Sequence, residues 1–277
     1  MNRLRFPLGD DLLPVREISP HSHEKADRHR RYCSIFNGGM KDQWPDNRGY
    51  LELFSGPGRL LDTAAGEEVD GCPLVAAASN FNRLAFVEYD EELADSLEQR
   101  LRARRIGHER ARVFAGDAND PGTLDQALDF LPRPGLIFCF VDPEDLNSDW
   151  SAIAHLAAAR HAPRSQRIDF LLNFPTGPMK RNYTADRKIT TVLGTPEWKL
   201  RVDAGEPLGL VFRETLALQF ERIGLETARH KEIRNSKGTT VYDLVFASAH
   251  PRAIDFWEKI SSVEADGQRM LFPRADY

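Results

Sequence analysis

From Tyr50 onward, short apolar runs alternate with amphipathic stretches of helical spacing, and this alternation limits the possible folds more than any other feature of the chain. Such alternation is typical of a doubly wound, mostly parallel sheet with helices on both faces. The last two runs are almost continuously apolar, as strands covered on both faces must be. The five predicted parallel strands are residues 50–54, 84–89, 112–115, 136–141 and 168–174.

The C-terminal part changes character. A helix predicted over residues 210–223 is followed by two extended runs, 226–234 and 239–247, joined by the turn-rich residues 235–238. Five parallel strands followed by a helix and a hairpin predict a Rossmann-like α/β sheet of seven strands, in which the last strand runs antiparallel beside its neighbour. A nicotinamide-binding sheet would instead continue with another crossover.

Two regions lie outside this pattern. Residues 1–48 predict an N-terminal helical extension, and residues 49–277 predict the main domain, which is interrupted by a cap insertion at about residues 175–208. Because basic and aromatic side chains together can contact phosphates and stack on bases, the insertion indicates a nucleic-acid contact. A solvated, charged cap is the alternative. The basic residues of the insertion are Lys180, Arg181, Arg187, Lys188, Lys199 and Arg201, with Tyr183 and Trp198 among them, and the first four are the predicted nucleic-acid contacts.

Composition limits the partners and the compartment. Lys and Arg total 37 against 42 Asp and Glu, a net charge of -5, so contact with nucleic acid needs a local basic patch. The three cysteines are far apart in the sequence, which argues against disulfides and favours the cytoplasm. No apolar run approaches the roughly 20 residues that cross a bilayer, so no membrane contact is expected. No histidine or cysteine spacing predicts a metal site.

The residues that close the predicted strands indicate a ligand site, because ligands of open α/β sheets bind at the carboxyl ends of the strands. The glycines of residues 52–58 let a ligand approach the main chain and allow the strand to turn sharply into a helix, which is expected to follow directly. Glu88 can accept both hydroxyls of a ribose, as in sites for NAD and S-adenosylmethionine. Asp117 can accept the amine of adenine, which favours S-adenosylmethionine. The predicted cofactor-binding residues are Glu52, Phe54, Gly56, Pro57, Gly58, Glu88, Tyr89, Asp117, Ala118 and Asp142.

Two polar residues are candidates for catalysis. Asp142 closes the fourth predicted strand, where a carboxylate can orient or deprotonate a nucleophile. Asn173 lies near the end of the fifth strand and can supply an amide. An aspartate that only satisfies backbone amides of its loop remains the alternative for Asp142.

Several motifs together resemble the three-Cys-motif partner protein family, whose members are bacterial. The resemblance covers about residues 40 to 260 and implies the seven-stranded methyltransferase fold. It also implies an S-adenosylmethionine site at Glu52, Gly56, Gly58, Glu88 and Asp117, with a separate three-Cys-motif protein as partner. The motifs are ELFSGPG (52–58), GCPL (71–74), FVEYD (86–90), GDAND (116–120), VDP (141–143) and LLNFP (171–175).

The sequence departs from this family at Cys72, where serine is usual, and at Glu144 and Asp145, where Phe-Gly is usual. Methyltransferases that act on the amino groups of nucleic-acid bases have an aromatic residue in the corresponding motif, and its ring holds a flipped base. Glu144 and Asp145 stand there in this sequence, which argues against that activity.

Three hypotheses follow. The first is an S-adenosylmethionine-dependent methyltransferase whose acceptor is unknown, with nucleic acid favoured. The second is a non-catalytic S-adenosylmethionine-binding partner subunit. The third, a nicotinamide-dependent enzyme, is disfavoured because Leu61 stands where the last glycine of GxGxxG would be.

Overall fold

The computed structural model describes residues 5–18, 22–228, 230–235 and 237–263. The strands are β1 (Arg16–Ile18), β2 (Arg48–Leu53), β3 (Arg59–Asp62), β4 (Glu67–Asp70), β5 (Arg83–Glu88), β6 (Ala111–Ala115), β7 (Gly135–Val141), β8 (Gln166–Phe174), β9 (Glu226–Thr227), β10 (Lys231–Arg234) and β11 (Thr240–Ser248). The helices are α1 (Ser22–Met40), α2 (Cys72–Ala77), α3 (Glu91–Ala103), α4 (Pro121–Phe130), α5 (Trp150–Ala158), α6 (Thr176–Arg181), α7 (Asp186–Leu193), α8 (Glu197–Asp203), α9 (Leu208–Arg222) and α10 (Pro251–Ser261).

The main sheet has the predicted architecture. Its strands follow the order β10-β11-β8-β7-β2-β5-β6, and β9 pairs separately with β11. The five strands β2, β5, β6, β7 and β8 are parallel, whereas β11 runs antiparallel to both β8 and β10. This order, with one antiparallel strand inserted beside the last parallel strand, confirms the predicted Rossmann-like architecture, and the short β9 adds an eighth strand to the seven that were predicted. The predicted turn at residues 235–238 includes Ser236, which lies outside the described residues.

Helices cover both faces of the sheet, which explains the continuous apolar runs. Within β7, Cys139 and Val141 face a core shared with α4, α5 and α9. Phe138 and Phe140, on the opposite face, pack in a second core with α1, α3 and α10. Because neighbouring residues of a strand point to opposite faces, a strand buried on both sides needs an apolar residue at every position.

One local expectation was wrong. A glycine turn that leads directly into a helix was expected, but residues 59–70 form the antiparallel hairpin β3–β4, and helix α2 begins only at Cys72. Strand β1 pairs with β3 in parallel to complete a small three-stranded sheet. The sequence does not reveal β4 because its residues, Glu67–Asp70, are mostly charged and partly exposed. The hairpin brings Gly71 back to the turn, where its N–H donates to the Gly58 carbonyl at 2.8 Å.

The helix predicted within residues 1–48 is α1. Its inner face buries Arg28, His29, Tyr32 and Phe36, and the aromatic side chains of Tyr32 and Phe36 belong to the second core. Within the described ranges, no helix is both long and apolar enough to span a membrane. The division of the chain at residue 48 stays a prediction.

Candidate functional site

The strand order places the predicted site residues along one edge of the sheet. Since β6, β5, β2, β7 and β8 are consecutive neighbours and run parallel, the residues at and just after their carboxyl ends follow one another along that edge. In that order the edge presents Asp117, Glu88, the glycine turn at residues 54–58, Asp142 and Asn173. Five separate parts of the chain thus lie along the edge where a ligand of such a sheet binds.

The glycine turn after β2 has the backbone geometry of a ligand site. Gly56 and Gly58 have φ angles of 65° and 83°, and Phe54 has 63°. A Cβ on Gly58 would lie 2.7 Å from Leu97 Cδ1, so a larger residue is strained there in both conformation and space. A Cβ on Gly56 would meet nothing nearer than the flexible Arg16 side chain at 3.6 Å. The main chain at Gly56 is therefore open to any ligand that displaces Arg16.

Glu88 is held against this turn at the end of β5. Its side chain is buried, and its Oε2 accepts a hydrogen bond from the Gly56 N–H at 2.7 Å. Its Oε1 accepts one from the Asp90 N–H at 3.0 Å. Since each carboxylate oxygen can accept a second hydrogen bond, Glu88 retains the capacity to receive two ribose hydroxyls. Asp90 has a different task, because its carboxylate caps α3.

The loop after β6 lies beside Glu88, whose carbonyl accepts a hydrogen bond from that loop. Asp117 is exposed, and its Oδ1 accepts hydrogen bonds from the backbone and side-chain nitrogens of Asn119. Ala118 is buried, whereas the Tyr89 ring is 76% exposed. If Glu88 binds a ribose, the base attached to that ribose would lie near two accessible groups, the Asp117 carboxylate and the Tyr89 ring.

Asp142 is part of a three-residue polar cluster. Lys25 Nζ, from α1, donates to its two oxygens at 2.8 and 2.6 Å, and Asn173 Nδ2 donates to Oδ1 at 2.7 Å. Burial is the largest single effect and lowers the pKa of Lys25, but the attraction of Asp142, Cys72 and Glu52 and the hydrogen bonds to Asp142 together raise it more, so the net shift is upward. The two predicted catalytic residues thus do meet, and a cation joins them.

The amide of Asn173 has one unused polar atom. Its Nδ2 donates to Asp142, which turns Oδ1 in the other direction. That Oδ1 is buried and accepts no hydrogen bond from the described residues. A buried acceptor without a donor is costly, so a donor from outside the described residues, either a water molecule or a ligand group, would stabilise it.

Glu52, Phe54 and Pro57 lie at the turn, but their contacts point inward. The Glu52 side chain is buried and accepts a hydrogen bond from Tyr50 OH at 2.6 Å, and burial raises its pKa well above the usual range. The Phe54 ring packs against the apolar core, and the Pro57 carbonyl accepts from Arg100. Their predicted roles in cofactor binding stay predictions.

Two site residues were not anticipated from the sequence, namely Lys25 and Arg16. The Arg16 guanidinium pairs with Glu144 across the turn, and its Nη2 lies 3.9 Å from Glu88 Oε1. Arg100 links the segment before β1 to the glycine turn, because its guanidinium donates hydrogen bonds to Asp11 and to the Pro57 carbonyl. No local pattern marks these residues, because only tertiary packing brings the N-terminal part to this edge.

Residues 175–208, which the sequence predicts as a cap insertion and which are called the cap below, contain α6, α7 and α8, and their cations fall into two groups. Lys199 pairs with Asp186, and Arg201 pairs with Glu206 and Glu214. The other four cations have no ion-pair partner among the described residues. These four are Lys180, Arg181, Arg187 and Lys188.

The aromatic residues of the cap differ in accessibility. Tyr183 is 49% exposed, so its ring is available for stacking. The expectation that Trp198 stacks on a base was wrong, because Trp198 is buried, lies edge-on to Phe212 and donates to Thr190. The Trp198 ring instead belongs to the apolar core in which the cap packs against α9.

No protein-family model matches the sequence, and no curated protein matches it. Among solved structures, the chain is similar to an O-methyltransferase from Bacillus cereus in complex with SAH. That likeness has a TM-score of 0.48 and 14% identity over 86% of this chain and 84% of that one. The chain is also similar to magnesium protoporphyrin IX methyltransferase from Synechocystis with bound SAM, with a TM-score of 0.43 and 10% identity over 83% of this chain and 85% of that one.

Proposed function

We propose that this protein is an S-adenosylmethionine-dependent methyltransferase of the three-Cys-motif partner family, acting in the cytoplasm. The observation that carries the proposal is the buried Glu88 carboxylate, which is fixed by the glycine turn and still able to accept two hydroxyls. Gly56 provides the open main chain beside it, and Tyr89 and Asp117 flank the adenine. The antiparallel β11 disfavours a nicotinamide site, whose sheet would continue with a parallel crossover.

Bound S-adenosylmethionine would be held by Glu88 and by the main chain at Gly56, and it would supply an electrophilic methyl group to a nucleophile of the acceptor. The chain's own residues position that nucleophile. Asn173 Oδ1, buried and unpaired within the described structure, accepts a hydrogen bond from an O–H or N–H group of the acceptor. Asp142 holds the amide in that orientation, and Lys25 fixes Asp142. Positioning of this kind accounts for most of the expected rate enhancement.

Calorimetric titration with S-adenosylhomocysteine tests the cofactor assignment, with NAD as the comparison ligand. We expect saturable binding of S-adenosylhomocysteine and none of NAD at the same concentration. Transfer from methyl-labelled S-adenosylmethionine into separate RNA, DNA and protein fractions then tests catalysis. Binding of NAD alone, or of neither compound, would contradict the proposed function.

A second candidate function is a partner subunit that binds S-adenosylmethionine without transferring its methyl group. The polar cluster at Asp142 favours it, since Lys25 donates to both oxygens of the carboxylate that would otherwise act on an acceptor. Binding of S-adenosylhomocysteine without label transfer to any fraction, alone or with a three-Cys-motif protein, would select this alternative.

We further propose that the methyl acceptor is a nucleic acid, held by the unpaired cap cations and the exposed Tyr183 ring. Reversing two of these charges in the variant Arg187→Glu/Lys188→Glu should weaken binding of single-stranded RNA about tenfold and lower the salt slope by about 1.4, since each lost phosphate contact with a single strand removes about 0.7. Fluorescence anisotropy at several salt concentrations measures both quantities.

The matched control for this variant is Arg167→Glu/Arg252→Glu, which makes the same charge change on exposed residues at the opposite edge of the sheet. Equal weakening in the two variants would show that only net charge matters. Unchanged RNA binding in the cap variant would exclude the cap as the contact surface.

A further inference from the structure

A cavity of about 400 Å³ lies at the edge of the sheet opposite the glycine turn. It opens where β7 and β8 begin and the antiparallel β11 ends, near Leu136, Ile168 and Ser248. Helices α1 and α10 and the end of α5 form its sides. The volume falls in the range of small-molecule sites, roughly 300 to 1,000 Å³. None of the residues assigned above to the cofactor or to catalysis lines this cavity.

The interior of the cavity is apolar and aromatic. Tyr32 and Phe36 from α1 and Phe256 from α10 line it, together with Trp44 and Leu225. Tyr32 and Phe36 are themselves fixed in the second core, where Tyr32 packs against Phe138 with ring centroids 4.6 Å apart. The walls are therefore preformed, which lowers the entropic cost of binding an apolar ligand.

Asp169 forms the polar floor, and its hydrogen bonds are already made. Its Oδ1 accepts from Ser248 Oγ at 2.6 Å, and its Oδ2 accepts from Tyr32 OH at 3.3 Å. Burial raises the pKa of Asp169 to about 6. Because both oxygens have donors within the protein, the floor requires no polar group from a ligand.

The rim of the cavity is positively charged, in contrast to the carboxyl group of Asp169 in the floor. Arg160, Arg167 and Arg252 line the cavity, are exposed, and form no ion pair with any described residue. The Arg167 guanidinium instead lies 5.9 Å from the Trp44 ring centroid. Asp169 is the one carboxylate among the described lining residues, and it is buried in the floor. Three unpaired guanidinium groups around an apolar interior are complementary to an anion with an apolar body.

We propose that this cavity is a second ligand site, which binds a small organic carboxylate with its apolar body inside and its carboxylate among the rim arginines. Ligand size follows from the cavity volume, and ligand charge follows from the three arginines. The site does not depend on the proposed function at the other edge of the sheet, because no residue is shared between them.

Displacement of the fluorescent aryl sulfonate 1-anilinonaphthalene-8-sulfonate from the intact chain tests this inference. The probe combines an aromatic body with one negative charge. We expect one saturable site, from which dodecanoate displaces the probe at concentrations at least tenfold lower than dodecyltrimethylammonium requires, all below micelle formation. Equal displacement by the cation would overturn the proposal, because the rim would then contribute no selectivity.

Two variants locate the site. Arg167→Glu/Arg252→Glu should weaken dodecanoate binding at least tenfold, whereas Arg187→Glu/Lys188→Glu on the cap should leave it unchanged. Ala253→Leu, which adds bulk to a lining residue of α10 without changing charge, should weaken binding of both the probe and dodecanoate. Unchanged dodecanoate affinity in both Arg167→Glu/Arg252→Glu and Ala253→Leu, with melting temperatures like that of the original chain, would place the ligand elsewhere.

Discussion

Replacement of Glu88 by alanine is expected to weaken the binding of S-adenosylhomocysteine about 100-fold, or ~2.7 kcal/mol, because two hydrogen bonds from ribose hydroxyls to a charged acceptor are lost. The substitution also releases the Gly56 N–H, which Glu88 Oε2 holds at 2.7 Å. Both effects act at the place where the ribose of the ligand would bind. Calorimetric titration of the variant beside the original chain measures the loss.

Two further substitutions make the Glu88 result specific. Glu92→Ala removes an exposed carboxylate from the first turn of α3 and should leave the affinity within about twofold, since exposed charges act weakly at a distance. Glu88→Gln keeps one acceptor oxygen for the Gly56 N–H, so its affinity for S-adenosylhomocysteine should lie between those of Glu88→Ala and Glu92→Ala. Melting temperatures show whether each variant has folded. If Glu88→Ala binds S-adenosylhomocysteine as tightly as Glu92→Ala does, the assignment of Glu88 to the ribose is wrong.

The main sheet could be predicted because its sequence signal is local and repeated. Strands buried on both faces must be apolar at every position, so β7 and β8 are evident as continuous runs. Glu88 and Asp142 could be predicted for a related reason, since a carboxylate at the last position of a buried strand or directly after it must lie at the edge of the sheet.

Other parts of the structure have no such local signal. The β3–β4 hairpin is only partly buried and carries charged residues, so its hydrophobic pattern is too weak to separate it from a loop. Lys25 and Asp142 are 117 residues apart, and only the packing of α1 against the sheet brings them together. The burial of Trp198 is likewise a tertiary effect, because its spacing fits a buried and an exposed ring equally well.

The Lys25–Asp142 pair gives the second large expected effect, this time on stability. Their side chains are 17% and 19% exposed, so most of the hydration of both charges is lost in the fold. Asp142→Ala leaves the Lys25 ammonium in place without its carboxylate, and we expect it to lower the free energy of unfolding by about 3 kcal/mol. Urea denaturation at pH 7 measures this value.

A double-mutant cycle with Lys25→Met separates the ion pair from the packing of either side chain. We expect the double variant to be more stable than Asp142→Ala alone, because it leaves no unpaired cation. The folded-state pKa of Lys25 is raised above 10.5, so the contribution of the pair is fully present below that pH and is lost only as the pH rises through the folded pKa. The cycle should therefore give the same coupling energy at pH 6 and pH 8. Strictly additive losses would show that the ammonium and the carboxylate do not interact, and Asp142 would then be free to act on an acceptor without Lys25.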